Sequence, residues 1–436
     1  MSAFHVASGV ILLVAVFGYF NHRFFKLPEA IGITAIGMVA SLAAVIAGSF
    51  DHAVIESAKR LFEQVDFHDA LFHGILGLLL FAGALHVSVE DIAPEKWLIL
   101  ALATLGVLLS TVLVGLGLWG AAWLIGLPID LLHCLLFGAL ISPTDPIAVL
   151  AVLKRLGVPK SLETRIAGES LFNDGTGVVV FLTLLGVATS GETVSLGSTA
   201  ALFATEVLGG VVAGAVAGLL GFLMLRGVDS YPVEILITLA LATAGYAVAE
   251  AAGVSAPIAV VLMGLIVGNA GKRAAMSDET RERLFGFWEV LDELLNLMLF
   301  GLIGLAMLTL SFSVAQGLAA VAGIVIVLLA RGLSVGGLIF ATPRLRPHAR
   351  AAITIMTWGG LRGGISIALA LALPAFEGRE TVISTTYAVV IFSILVQALS
   401  LQRVARRVLD HEASRAPASL SDEQAPQDRV EPERDR

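Results

Sequence analysis

The sequence predicts an all-α polytopic membrane protein, and three observations carry that prediction. The 436 residues are 57% hydrophobic and 14% charged, with a mean hydropathy of +0.91, whereas soluble domains carry roughly 25% charged residues. Apolar runs of about 20 residues, the length that crosses a bilayer core as helix, recur along the chain. Basic residues gather in alternate connections between those runs, as the positive-inside rule requires. Runs this long leave no room for barrel strands of about ten alternating residues.

The runs fall at 3–21, 28–49, 68–87, 97–124, 131–153, 163–188, 198–225, 231–250, 255–270, 289–310, 314–341, 352–373 and 380–401, so about thirteen transmembrane helices are expected. With the N-terminus outside, the inside connections hold Arg23, Lys26, Lys96, Lys154, Arg155, Lys160, Arg165, Arg226, Lys272, Arg273, Arg281, Arg283, Arg344, Arg346, Arg350, Arg403, Arg406 and Arg407. The outside connections hold only Lys59, Arg60 and Arg379. That asymmetry supports an odd number of spans and puts the C-terminus in the cytoplasm of a cell (plasma or inner) membrane protein. The first run lacks a basic n-region and an A-x-A site, so it reads as a retained helix rather than a signal peptide. Cys134 is the only cysteine, and it forms no internal disulfide.

Residues 1–405 form the membrane domain in this reading. Residues 406–436 are a short cytoplasmic tail, acidic and proline-bearing from Asp410 onward, whose composition predicts disorder. The net charge of −8 owes much to that tail. Between the ninth and tenth runs, KRAAMSDETRERLFGFW suggests a short amphipathic helix capped by Ser277, or a linker lying on the membrane surface.

Several ionisable residues interrupt the apolar runs, and each costs at least about 2.5–3.5 kcal/mol at mid-bilayer, which ordinarily places such groups in a bundle interior or on an ion pathway. The sixth run carries GESLFNDGTGVVVF (168–181), the fifth carries Asp145, the eleventh Arg331 and the twelfth Arg362. On a helix, Ser170 and Asp174 share one face while Glu169 and Asn173 share the next. One face is then free to hold an ion and the other to hold structure.

In the fifth run, Pro143 and Pro146 bracket Thr144 and Asp145; each proline removes a donor and disfavours helical geometry at the residue before it. The helix is expected to break there and to line a cavity with freed carbonyls. A plain proline kink would leave the carboxylate and the threonine unexplained. In the twelfth run, Gly359, Gly360, Gly363 and Gly364 surround Arg362 and lower its helix propensity. Broken runs seven apart suggest two inverted six-helix repeats, one to six and eight to thirteen, with the site where the discontinuous helices 5 and 12 cross. There, Asp145 would neutralise positive half-helix N-termini and Arg362 negative C-termini.

ISPTDPIAVLAVLK, GESLFNDGTGVVVF and WGGLRGG, in that order and spacing, resemble the CPA1-type monovalent cation:proton antiporters, the NhaP-like sodium/proton exchangers. The likeness spans roughly residues 5 to 405. It implies a homodimer of thirteen-span protomers, with a mobile core and a scaffold, exchanging Na⁺ (or K⁺ or Li⁺) for H⁺. By position, Asp174 resembles the family's ion- and proton-binding aspartate and Asn173 the asparagine before it. Thr144, Asp145 and Ser170 match residues around the ion. Glu169 matches a glutamate that pairs with an arginine of the eleventh span, here Arg331, and Arg362 stands with them as a structural charge. This chain departs from many relatives in the third run, where LLLFAGALHV (78–87) offers His86 in place of an acid.

The residues by themselves leave bland alternatives open. Glu169 reads more simply as half of a fixed ion pair, His86 as a polar helix end, and Glu206, Glu250, Asp292 and Glu293 as span-end residues that reach water. Two membrane aspartates also suit an intramembrane aspartyl protease by count, but the Gly-x-Gly-Asp setting is absent. A cation channel needs a polar pore lining, and the polar residues here form one mid-membrane cluster. The expected activity is electroneutral ion exchange rather than catalysis. No cofactor and no nucleic acid are implied; the expected partners are monovalent cations, protons and membrane lipid.

Overall fold

The computed structural model describes residues 3–48, 74–190, 196–307, 313–342 and 349–413. They are helical almost throughout: α1 (Ala3–Phe20), α2 (Glu29–Gly48), α3 (Leu76–His86), α4 (Val89–Ile125), α5 (Leu131–Ile141), α6 (Ile147–Leu156), α7 (Lys160–Ser190), α8 (Leu196–Arg226) and α9 (Tyr231–Ala251). There follow α10 (Ala256–Ile266), α11 (Asp278–Ala306), α12 (Val314–Ala341), α13 (Ala349–Trp358), α14 (Gly364–Leu371), α15 (Arg379–Phe392) and α16 (Leu399–Ala413). Seven of the described helices are long and apolar enough to cross a membrane, and four shorter apolar ones accompany them. Among the described residues the one extended pairing is an isolated bridge between Asp145 and Leu361.

Local chemistry sets the helix ends. Asp130 caps α5 by accepting from His133 N at 2.8 Å, Ser255 caps α10, and Ser313 forms a reciprocal capping box with Gln316 on α12; each satisfies donors that a helix start leaves bare. Gly126 and Gly157 end α4 and α6 with φ of +80° and +64°, the left-handed turn that glycine adopts without a Cβ penalty. Lipid-length α8 shows Leu202, Leu208, Val212, Val216, Leu219 and Leu223 on its exterior, as expected of a helix whose solvent is hydrocarbon.

Two differences from the sequence reading matter. The segment around Ser277 is neither a separate surface helix nor a linker. Ser277 accepts from Thr280 N at 3.4 Å, and α11 runs unbroken from Asp278 to Ala306, because nothing between them breaks a helix. Residues 406–413 belong to α16, whose Leu401 and Ala405 are buried and whose Leu409 packs against the same cluster. The rest of the tail, 414–436, lies outside the described residues, as does 68–73 of the third run.

The helices pack as two groups. α4, α5, α6, α7, α12, α13, α14, α15 and α16 pack mainly on one another. α1, α2, α3, α8, α9, α10 and α11 do the same. The groups meet where α7 faces α3, α8 and α10, and where α11 faces α14.

Within the first group two rods are interrupted. α5 and α6 are separated by residues 142–146, and α13 and α14 by residues 359–363. The α5–α6 break is seated against α7 at Gly177, where an added Cβ would stand 2.3 Å from Pro143 Cγ. Overpacking of this kind costs about 1–3 kcal/mol. Gly177→Val is therefore expected to lower the thermal stability of the purified protein by about that amount, while Gly186→Val, with open space around it, is tolerated. Equal effects of the two in a thermal-unfolding assay would show that the break does not rest on α7.

Candidate functional site

The two breaks meet and hold each other by backbone. Asp145 N donates to Leu361 O at 2.8 Å, which explains the isolated bridge. Arg362 Nη1 donates to the carbonyls of Ser142 at 2.6 Å and Pro143 at 2.8 Å, and Arg362 N donates to Ser393 Oγ at 2.8 Å. The guanidinium thus caps carbonyls that the end of α5 leaves without helical partners. Its cation faces the negative end of the helix dipole. At the other break, a Cβ at Gly363 would stand 2.9 Å from Asp145 Oδ2. Asp145 therefore lies against the N-terminal end of α14, where negative charge is favoured.

α7 passes beside this crossing and presents two faces with different work. Asn173 is fully buried; its Nδ2 donates to Thr144 Oγ1 at 2.8 Å, and its Oδ1 accepts from Thr144 N at 3.4 Å. The hydroxyls of Thr144 and Ser170 lie 3.1 Å apart. Glu169, 1% exposed, is held by both terminal nitrogens of Arg331, 8% exposed. Arg331 Nε also donates to Met356 O at 3.4 Å, tying α12 to the end of α13. A Cβ at Gly360 would stand 2.9 Å from Arg331 Nε, so this glycine leaves the guanidinium its place.

A cavity of about 440 Å³ opens beside the crossing. Thr144, Asp145, Ser170 and Asp174 line it, whereas Glu169, Asn173, Arg331 and Arg362 do not. The eight residues singled out from the sequence thus come together but divide into a cavity set and a supporting set. The lining continues past Gly83, His86 and Glu163 to Asp91, Lys154 and Lys160, where Lys160 Nζ meets Asp91 Oδ1 at 2.9 Å. The cavity can hold a small cation on oxygen ligands: two carboxylates, two hydroxyls and the carbonyls of an interrupted helix.

Two lining residues, Asp292 and Asn296, were not singled out as site residues. Asp292 reads from sequence as a span-end residue, but α11 begins at Asp278, about three turns before the apolar run does. Asp292 is at the middle of α11 but still near the start of the apolar run, and what the structure adds is that it faces the cavity. The usable signals are the Ser277 cap and the spacing of Asp292 and Asn296, one turn apart on one face.

The Glu169–Arg331 pair yields a prediction. Removing one partner of a buried pair strands the other's charge, typically at about 3–5 kcal/mol. Glu169→Ala and Arg331→Ala should each destabilise the purified protein by about that amount, and the double variant by less than the sum. Additive losses in the thermal-unfolding cycle would mean that the two side chains do not stabilise one another.

Comparison with known proteins agrees with this architecture. Residues 11–407 match the family described as sodium/hydrogen exchanger, transmembrane. The chain is 47% identical over 408 residues to the Na⁺/H⁺ antiporter NhaP of Pseudomonas aeruginosa, covering 92% of this chain and 96% of that one. It is 33% identical over 395 residues to the Na⁺/H⁺ antiporter NhaH of Halobacillus dabanensis, covering 88% and 93%. Among solved structures, the sodium proton antiporter MjNhaP1 from Methanocaldococcus jannaschii superposes with a TM-score of 0.73 at 20% identity, covering 94% of this chain and all of that one, a likeness of fold. With nearly its whole helical region matched by one family of transporters, the chain belongs to the transmembrane sodium/hydrogen exchangers.

Proposed function

We propose that this chain is a multi-pass antiporter of the cell membrane that exchanges one Na⁺, or K⁺ or Li⁺ in its place, for one H⁺, with Asp174 binding ion and proton alternately. The observation that carries the reading is the position of Asp174: a carboxylate on α7 that faces the cavity, one turn after Ser170 and beside the Thr144–Asp145 break. A carboxylate neutralised by a proton has no charge left for a cation, and one holding a cation resists protonation. Competition at this single group is sufficient to couple the two fluxes.

The surrounding contacts support distinct roles for the other residues. Thr144 and Ser170 offer hydroxyl oxygens to the ion, and Asp145 adds a carboxylate beside it. Asn173 fixes Thr144 and orients it, acting through that contact rather than on the ion. Glu169, Arg331 and Arg362 are structural charges. Because Asn173 does not titrate, one exchangeable charge remains on the α7 motif. The proton-loaded and ion-loaded states then carry equal net charge, which makes exchange electroneutral.

Alternation follows if the group containing α4–α7 and α12–α16 moves against the frame of α1–α3 and α8–α11, carrying the crossing from one side of the membrane to the other. In this reading the chain makes thirteen crossings as two inverted six-helix repeats. Its N-terminus is outside and its C-terminus cytoplasmic, and it works as a homodimer. The basic residues Lys154 and Lys160 at one end of the cavity support a cytoplasmic opening there.

The experiment is proton movement in proteoliposomes on addition of Na⁺, K⁺ and Li⁺ in turn. Asp174→Asn is expected to abolish cation-driven proton movement while the purified variant keeps its fold. Exchange by the variant at more than a small fraction of the native rate would overturn the assignment.

A further inference from the structure

The cavity has a second wall, and one group on it has no role in the scheme above. The wall that carries Thr144, Asp145, Ser170 and Asp174 belongs to the α4–α7 and α12–α16 group. The wall opposite is made by α3 and α11. From α3 come Leu79, Leu80 and Gly83, all apolar, and then His86 at the helix end. His86 Nδ1 donates to Ala82 O at 2.8 Å, and its ring stands edge-on to Phe285. From α11 come Asp292, Asn296 and Leu299.

Asp292 sits at the midpoint of the 29-residue α11, about 21 Å from either end. Asp292 stands in the first turn of the apolar run 289–310, and it faces the cavity. Asn296, one turn on, turns its amide back to Asp292 O at 2.9 Å. Asp292 and Asp145 line the same cavity. Its helix packs mainly on α1, α2, α3 and α9, elements of the frame, and also meets α14.

We propose that Asp292 is a further ion-pathway residue, a carboxylate fixed to the frame that holds the incoming Na⁺ opposite Asp174 and sets the apparent affinity for the cation. This rests on the exchanger reading and extends it. Two carboxylates on the moving group attract a cation only as strongly as their own protonation allows. A third on the facing wall adds Coulombic attraction in a partly desolvated space, where charges interact several-fold more strongly than in bulk water. Because Asp292 remains with the frame, it adds no charge to what crosses, and the one-for-one exchange is unaffected. It acts on cation capture, not on the transfer of charge across the membrane.

The test is the initial rate of proton movement against Na⁺ concentration in proteoliposomes at fixed pH. Native protein, Asp292→Asn, Asp292→Ser, Asp292→Glu and Asp174→Asn are compared, with monodisperse elution and thermal stability recorded for each. Asp292→Asn and Asp292→Ser should raise KM for Na⁺ about tenfold, equivalent to about 1.4 kcal/mol, with kcat within about twofold of native. Asp292→Glu should bring KM back towards the native value. An unchanged KM overturns the proposal, as does a loss of kcat alone, a loss that Glu does not restore, or a failure of both neutral variants to fold. If the native protein itself moves no protons in response to Na⁺, the exchanger reading fails instead. Native exchange with indifferent Asp292 variants removes only the present inference.

Discussion

The site depends on one contact: the guanidinium of Arg362, 2% exposed, donating to the carbonyls of Ser142 and Pro143. Breaking a helix inside a membrane leaves backbone groups without partners in a medium that offers none, each costing several kcal/mol. Pro143 and Pro146 force such a break in one rod and the glycines around Arg362 permit one in the other. Each break supplies what the other lacks. Arg362 caps the carbonyls at the end of α5, the Leu361 carbonyl takes the Asp145 N–H, and the Asp145 carboxylate lies at the start of α14. The crossing is therefore satisfied as a unit, and neither broken rod could sit in hydrocarbon alone.

That arrangement decides which charges are available to do work. Arg362 is committed to carbonyls, Arg331 to Glu169, and Asn173 to Thr144. Asp145 is balanced by a helix end. Asp174, one turn from Ser170, faces the cavity beside Asp145. The alternation along α7 is the physical device: successive residues turn by about 100°, so Glu169 and Asn173 anchor the helix to its neighbours while Ser170 and Asp174 look into the cavity.

Much of this was legible in the sequence, for identifiable reasons. Proline and glycine mark broken helices by covalent geometry alone, so the interruptions at 142–146 and 359–363 follow from Pro143, Pro146 and the glycines around Arg362. The two faces of α7 follow from helical period. The pairing of Glu169 with Arg331, by contrast, joins residues 162 apart, and only the resemblance to the exchanger family pointed to it. Asp292 was missed because its place near the start of an apolar run does not tell what it faces; only the packing of α11 on α3 and α14 turns it to the cavity. α16 continues past the apolar run to Ala413, on an amphipathic face that hydropathy averages away.

The central claim is that a single exchangeable charge crosses with the moving group, and a membrane potential is the direct probe of it. A potential is worth about 2.3 kcal/mol per elementary charge per 100 mV and acts only on states that differ in net charge. In proteoliposomes without any Na⁺ or H⁺ gradient, a potential imposed with K⁺ and valinomycin should drive no Na⁺ uptake beyond protein-free vesicles. Sustained Na⁺ uptake driven by the potential alone would contradict the account, because a second titratable group would then have to travel with Asp174.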